Sequence, residues 1–95
     1  MNNIFEIIDK SGRRIHLSKE RWGHIRIKHP NVDNFELIKD TIINPIDIII
    51  YEEDIRIFYK YFKHQKGSLK YLKVLVKYLN GNGYVISSYF IKNIV

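Results

Sequence analysis

The chain has 95 residues, 45% of them hydrophobic and 27% charged, which excludes a disordered polymer and leaves chain for one core only. It has no cysteine, so a disulfide scaffold, a thiolate metal site and a cysteine nucleophile are excluded together. No apolar run approaches the ~18 residues of a membrane span, and Met1–Asp9 holds two acids and no basic flank, unlike a secretory leader; a single soluble cytoplasmic domain over 1–95, with no membrane contact, is the expectation.

Charge is more informative than composition. The net +6 is uneven: residues 1–54 hold all 10 acids against 8 Lys/Arg, whereas residues 55–95 hold 8 Lys/Arg and no acid. A segment of that kind cannot neutralise its own field, and it attracts polyanions and releases counterions on binding them. The 18 Ile, 11 Lys, 8 Asn and absent Ala fit an AT-rich coding bias. That bias accounts for the lysines but less well for the missing Asp and Glu.

In chain order, Ile4–Ile8 reads as a short strand, Ser11-Gly12 as a turn and Arg13–Leu17 as a returning strand. Ser18 is placed to cap a helix, with Leu17 and Trp22 at the spacing of a hydrophobic staple, and that helix must stop before Pro30. Asp33 with Glu36 suggests a second capping box, and Phe35, Ile38 and Ile42 form a helical stripe ending at Asn44-Pro45. Beyond Pro45 the period changes from 3.6 to 2. Strands are expected at Ile46–Tyr51, Ile55–Phe62, Tyr71–Leu79 and Tyr84–Ile91, the last two joined by Asn80-Gly81-Asn82-Gly83. Two helices followed by an antiparallel meander imply an α+β domain with both helices on one face of the sheet.

A turn centred on Gly81-Asn82 would pair Leu79 with Tyr84. Lys73, Leu75, Lys77, Ser88 and Phe90 would then share the open face, with Leu72, Val74, Val76, Ser87 and Tyr89 inward. With Ile55, Ile57, Tyr59 and Tyr61 also inward, the open face gathers Arg56, Lys60, Lys73, Lys77 and Ser88 among Phe58, Tyr71, Tyr84 and Phe90. Cations interleaved with aromatic rings suit single-stranded RNA, holding phosphates and stacking bases. Any one lysine is more simply read as solvated surface; Arg56 is more even, because a guanidinium can grip a phosphate twice.

The histidines are the second feature. His24 lies one helical turn before Lys28, so the two share a face, and His29 stands at the helix end, where the dipole favours an imidazolium. Metal-free RNA cleavage needs a base for the 2′-OH, an acid for the leaving oxygen and fixed positive charge at phosphorus. Histidine suits the first two roles, although packing for His24 and capping for His29 are the plainer readings. The His-x4-His spacing is not that of a helical zinc pair, so no metal and no cofactor are expected. His16 and His64 have no evident partner.

The run from Ile15 to Tyr89, about three quarters of the chain, contains Leu-Ser-x-Glu-Arg-Trp-x-His-Ile, His-Pro, Asn-Pro, Arg-x-Phe-Tyr-Lys, Leu-x-Val-x-Val-Lys and Val-Ile-Ser-Ser-Tyr. In these motifs it resembles the phage-type nuclease families of the Barnase–EndoU–Colicin–RelE superfamily. The resemblance implies two helices packed on a four-stranded antiparallel sheet, preceded here by a short N-terminal strand or hairpin. It also implies a metal-independent endoribonuclease, toxin-like, that cleaves RNA or tRNA by 2′-OH transesterification and is held by a neutralising antitoxin. By the same resemblance His24, His29, Arg56, Lys60 and Ser88 are candidate catalytic residues, and Tyr59, Lys77, Ser87 and Tyr89 candidate RNA-binding residues, to which the strand register adds Lys73. The strand register favours Ser88 as the phosphate-facing hydroxyl, whereas the family's Thr-Ala-Tyr, here Ser87-Ser88-Tyr89, favours Ser87. The competing readings are a non-catalytic single-stranded RNA-binding module and an antitoxin-binding domain.

Overall fold

A computed structural model describes residues 3–94; Met1, Asn2 and Val95, which the domain bounds and the leader argument include, lie outside them. The elements are β1 (Asn3–Ile8), β2 (Arg14–Ser18), α1 (Lys19–Lys28), α2 (Phe35–Ile43), β3 (Asp47–Glu52), β4 (Ile55–Tyr61), β5 (Tyr71–Leu79) and β6 (Asn82–Ile91).

The helix boundaries follow from local chemistry. The Ser18 hydroxyl accepts the Arg21 N–H at 3.0 Å, satisfying one of the orphan donors of the first turn. The helix closes at His29, whose N–H donates to the Ile25 carbonyl at 2.7 Å, one residue before the proline that cannot continue it. The cap of α2 is Asn34, which accepts from Glu36 N at 2.9 Å, one residue beyond the expected Asp33.

The expected four-stranded antiparallel sheet is not what forms. The fold is α+β, but its sheet has six strands in the order β1-β2-β6-β5-β4-β3 and is mixed, because β2 runs parallel to β6. Turn signals disclose only neighbours in sequence, and the β2–β6 pairing joins Arg14 to Asn82, Ile15 to Gly83 and His16 to Tyr84. The N-terminal hairpin is thereby built into the sheet. At the junction a Cβ on Gly83 would stand 2.9 Å from the Tyr78 ring and 3.0 Å from the Ile15 and Val76 side chains, so the close approach of β2 to β6 depends on glycine.

The two faces also differ from expectation. The last hairpin turns at Asn80-Gly81, both with positive φ (55° and 81°), and pairs Leu79 with Asn82, the geometry of a type I′ turn. Val76 pairs with Val85 and Leu75 with Ser87, so Ile86 is an extra residue. This bulge inverts the alternation beyond it: Ser88 and Phe90 turn toward the helices, whereas Ser87 and Tyr89 turn away. The strand β4 is inverted as well. Phe58 pairs with Val74 and Lys60 with Leu72 on the helix side, leaving Ile57 and Tyr59 on the other. Both faces of β4 are apolar enough to be buried, since Ile57 and Tyr59 are 5% and 3% exposed with no helix over them, and alternation alone could not choose between the faces.

One cluster forms the core: Ile25, Val32, Ile38 and Ile42 from the helical region pack on Ile15, Leu17, Phe58, Leu72, Val74, Val76, Val85 and Phe90. The second helix lies across β4 and β5, while α1 follows β2 and lies against β6 and the hairpin. No helix among the described residues is long and apolar enough to cross a membrane.

Candidate nucleic-acid interface

Arg21, His24 and Lys28 recur at i, i+3 and i+7 along α1, which puts them on one helix face. Together with His29 and Ser87 they surround a cleft of about 250 Å³ floored by Ile25 and Ile86. No carboxylate lines it. His29 is fixed by the chain around it: Arg26 Nη1 donates to the carbonyls of Pro30 at 2.6 Å and Val32 at 3.0 Å, Val32 N bonds back to the His29 carbonyl at 2.9 Å, and the Val32 side chain is fully buried. Neither the His24 nor the His29 ring has a protein hydrogen-bond partner among the described residues.

From this cleft a row of side chains crosses the helix-free face. The His29 imidazole stacks on Tyr89, with centroids 5.1 Å apart and planes at 30°. Tyr89 pairs across the strands with Lys73, and Lys73 with Tyr59. The Lys73 ammonium sits 5.3 Å from the Tyr89 ring centroid, in cation–π range. Tyr59, Lys73, Tyr89 and Lys92 border a second cleft of about 360 Å³. At the far end of the face Lys77 pairs with Tyr84 and approaches Asp54 at 3.8 Å.

The expected site residues therefore divide. His24, His29, Ser87, Tyr89, Lys73, Tyr59 and Lys77 lie at the α1 edge or on the helix-free face. Arg56, Lys60 and Ser88 do not join them, because the inverted alternation of β4 and the Ile86 bulge place all three on the helix side. Lys60 Nζ bonds the Asn44 carbonyl at 3.3 Å and approaches Asp40 at 4.0 Å, completing the C-terminus of α2. Ser88 is 0% exposed, and its hydroxyl has no hydrogen-bond partner among the described residues. Arg21, Lys92 and the His16–Tyr84 pair were not foreseen. Only Arg21 had a local signal, its helical spacing from His24.

Arg56 belongs to a different environment. Its guanidinium lies 5.7 Å from the Tyr78 ring, whose centroid is also 4.6 Å from the Arg13 guanidinium. The Tyr78 hydroxyl donates to Asp9 Oδ2 at 2.9 Å, while Asp9 Oδ1 accepts from the Ser11 hydroxyl and from the N–H groups of Ser11 and Arg13. Burial opposes ionisation of Asp9, but hydrogen bonds from the Ser11 side chain, the Arg13 backbone, Tyr78 and the Ser11 backbone outweigh it and hold the carboxyl below its usual value. Burial, reinforced by the hydrogen bond to Asp9, pushes the Tyr78 phenol above its usual value.

No group of three His, Asp or Glu side chains converges among the described residues. The chain matches no family model, and no curated protein or solved structure matches it.

Proposed function

We propose that this protein is a metal-independent endoribonuclease whose acid and base are His24 and His29. The observation that carries the reading is the convergence of two imidazoles with Arg21, Lys28 and Ser87 on one cleft free of carboxylates. One imidazole takes the proton of a ribose 2′-OH and the O2′–P bond forms. The P–O5′ bond breaks, and the other imidazole, as imidazolium, protonates the departing 5′ oxygen, leaving a 2′,3′-cyclic phosphate. Arg21 and Lys28 stabilise the charge that develops on the non-bridging oxygens, and the Ser87 hydroxyl donates to one of them. Tyr89 stacks a base and Lys73 holds a phosphate, while Tyr59, only 3% exposed, packs beside Lys73. The acid-free stretch 55–95 supports the same chemistry, as does the resemblance of the Leu17–Ile25 and His29-Pro30 motifs to those of phage-type nucleases. In this reading RNA or tRNA is the substrate, an acidic neutralising antitoxin meets the same cations, and the protein acts in the cytoplasm.

The placement of Arg56, Lys60 and Ser88 away from the histidines favours a second reading, an RNA-binding module that does not cut. Labelled tRNA and mixed single-stranded RNA incubated with the protein in excess EDTA separate the two. Fragments ending in cyclic phosphate, absent with His24→Ala and His29→Ala, support the nuclease. Intact RNA that is retained on a filter in low salt supports the binding module, and neither cleavage nor retention overturns both.

A further inference from the structure

We infer that His16 and Tyr84 form a second base-stacking subsite on the helix-free face, so that the ligand is a single strand of RNA spanning several nucleotides. The inference rests on the reading of that face as an RNA site.

The His16 ring stacks on Tyr84 with centroids 6.0 Å apart and planes at 29°, close to the 30° of His29 on Tyr89. Both tyrosines belong to β6, at positions an odd number of residues apart. Regular alternation would send them to opposite faces, and it is the bulge at Ile86 that returns them to the same one. Each has a lysine as its partner on β5, Lys77 for Tyr84 and Lys73 for Tyr89. The arrangement His–Tyr–Lys therefore occurs twice, around a floor of Leu75, Ile57 and Ser87.

The spacing determines what fits. Lys73 and Lys77 are four residues apart on one strand, roughly 13 Å at ~3.3 Å per residue, whereas stacked bases rise only ~3.4 Å. The two tyrosines cannot serve adjacent stacked bases, so a ligand that reaches both must span more than two nucleotides. The subsites also differ in charge. No acid approaches Lys73 within ion-pair distance among the described residues, whereas the Lys77 ammonium is shared with Asp54 at 3.8 Å and Arg14 with Glu6 at 3.7 Å. The second subsite consequently holds a base by stacking and adds little phosphate attraction.

The test uses 2′-O-methyl oligonucleotides, which cannot undergo transesterification, and fluorescence anisotropy over a range of salt concentrations. Tyr84→Ala is expected to weaken an octanucleotide roughly tenfold, as for the loss of one stacked base, with an unchanged salt slope and unchanged dinucleotide binding. Tyr89→Ala weakens both ligands, and Tyr84→Phe restores wild-type affinity. If Tyr84→Ala lowers the melting temperature, His16→Ala supplies the same comparison from the other ring. Octanucleotide binding unchanged in Tyr84→Ala and His16→Ala overturns the second subsite while leaving the RNA reading intact. A wild-type protein that binds neither oligonucleotide overturns both.

Discussion

The His29 ring lies on the ring of Tyr89, 5.1 Å between centroids, and this contact joins the cleft beside α1 to the row of side chains on the sheet. Tyr89 thereby acts as a positioning residue for an imidazole that the Arg26 bridges hold only through the backbone. His29→Ala and His24→Ala are each expected to slow RNA cleavage by ~10²–10⁴-fold. Tyr89→Ala slows it by about tenfold, the value of an aromatic pair, while Tyr89→Phe retains the rate. Single-turnover cleavage beside thermal melting checks this; a melting temperature that falls in step with the rate would assign these rings to packing instead.

The two neighbouring serines are expected to behave oppositely. Ser88 is fully buried with an unpartnered hydroxyl, and removing such a group relieves a desolvation cost. Ser88→Ala should leave cleavage intact and raise the unfolding free energy by up to about 1 kcal/mol. Ser87→Ala should leave stability unchanged and reduce cleavage. Urea melts and cleavage rates for the pair settle the choice between hydroxyls that strand alternation leaves open.

Arg56 carries a buried Nη1 with no hydrogen-bond partner among the described residues and faces Tyr78 on the helix side, remote from the proposed path of RNA. Arg56→Met keeps the apolar stem and removes the donors, so stability should hold or rise while RNA affinity stays nearly constant. Lys73→Met should weaken binding and lower the salt slope by about one. Equal losses from the two variants would put Arg56 in the path of the RNA.

Asp9 provides a pH signature. Its folded carboxyl titrates below the ordinary 3.8, so its contribution is fully present above that value and is lost as pH falls through the lower folded one. The gap in melting temperature between wild type and Asp9→Asn should be constant near neutrality and close as pH falls from the ordinary carboxylate value through the lower folded one. A gap that widened on acidification would contradict the hydrogen-bonded carboxylate.

Much of the helical part was legible because its signals are local. Ser18, Pro30 and the Asn44-Pro45 pair act on their own backbone, and the His24 and His29 positions followed from them. The sheet was less legible for two physical reasons. The pairing of Ile15 with Gly83 depends on an encounter between distant segments that no turn residue announces. The parity of β6 depends on one bulged residue, Ile86, which no neighbouring Gly or Pro marks as irregular. That single inversion moved Ser88 inward and Tyr89 outward, and with the two-sided apolar character of β4 it dispersed the cationic group expected around Arg56.

The position of β6 between β5 and the parallel β2 has a consequence for how the molecule forms. The β1–β2 hairpin can fold early by itself, yet two strands are only marginally stable alone. Its lasting partner is a segment some 68 positions downstream, from Arg14 to Asn82. On the ribosome the β2 edge at Arg14–His16 must therefore wait unpaired until β6 emerges, and an unpaired edge is where nascent chains are prone to misassemble. Pulsed hydrogen exchange should find the amides at the β2–β6 seam protected together and late, after the β4–β5 and β5–β6 hairpins.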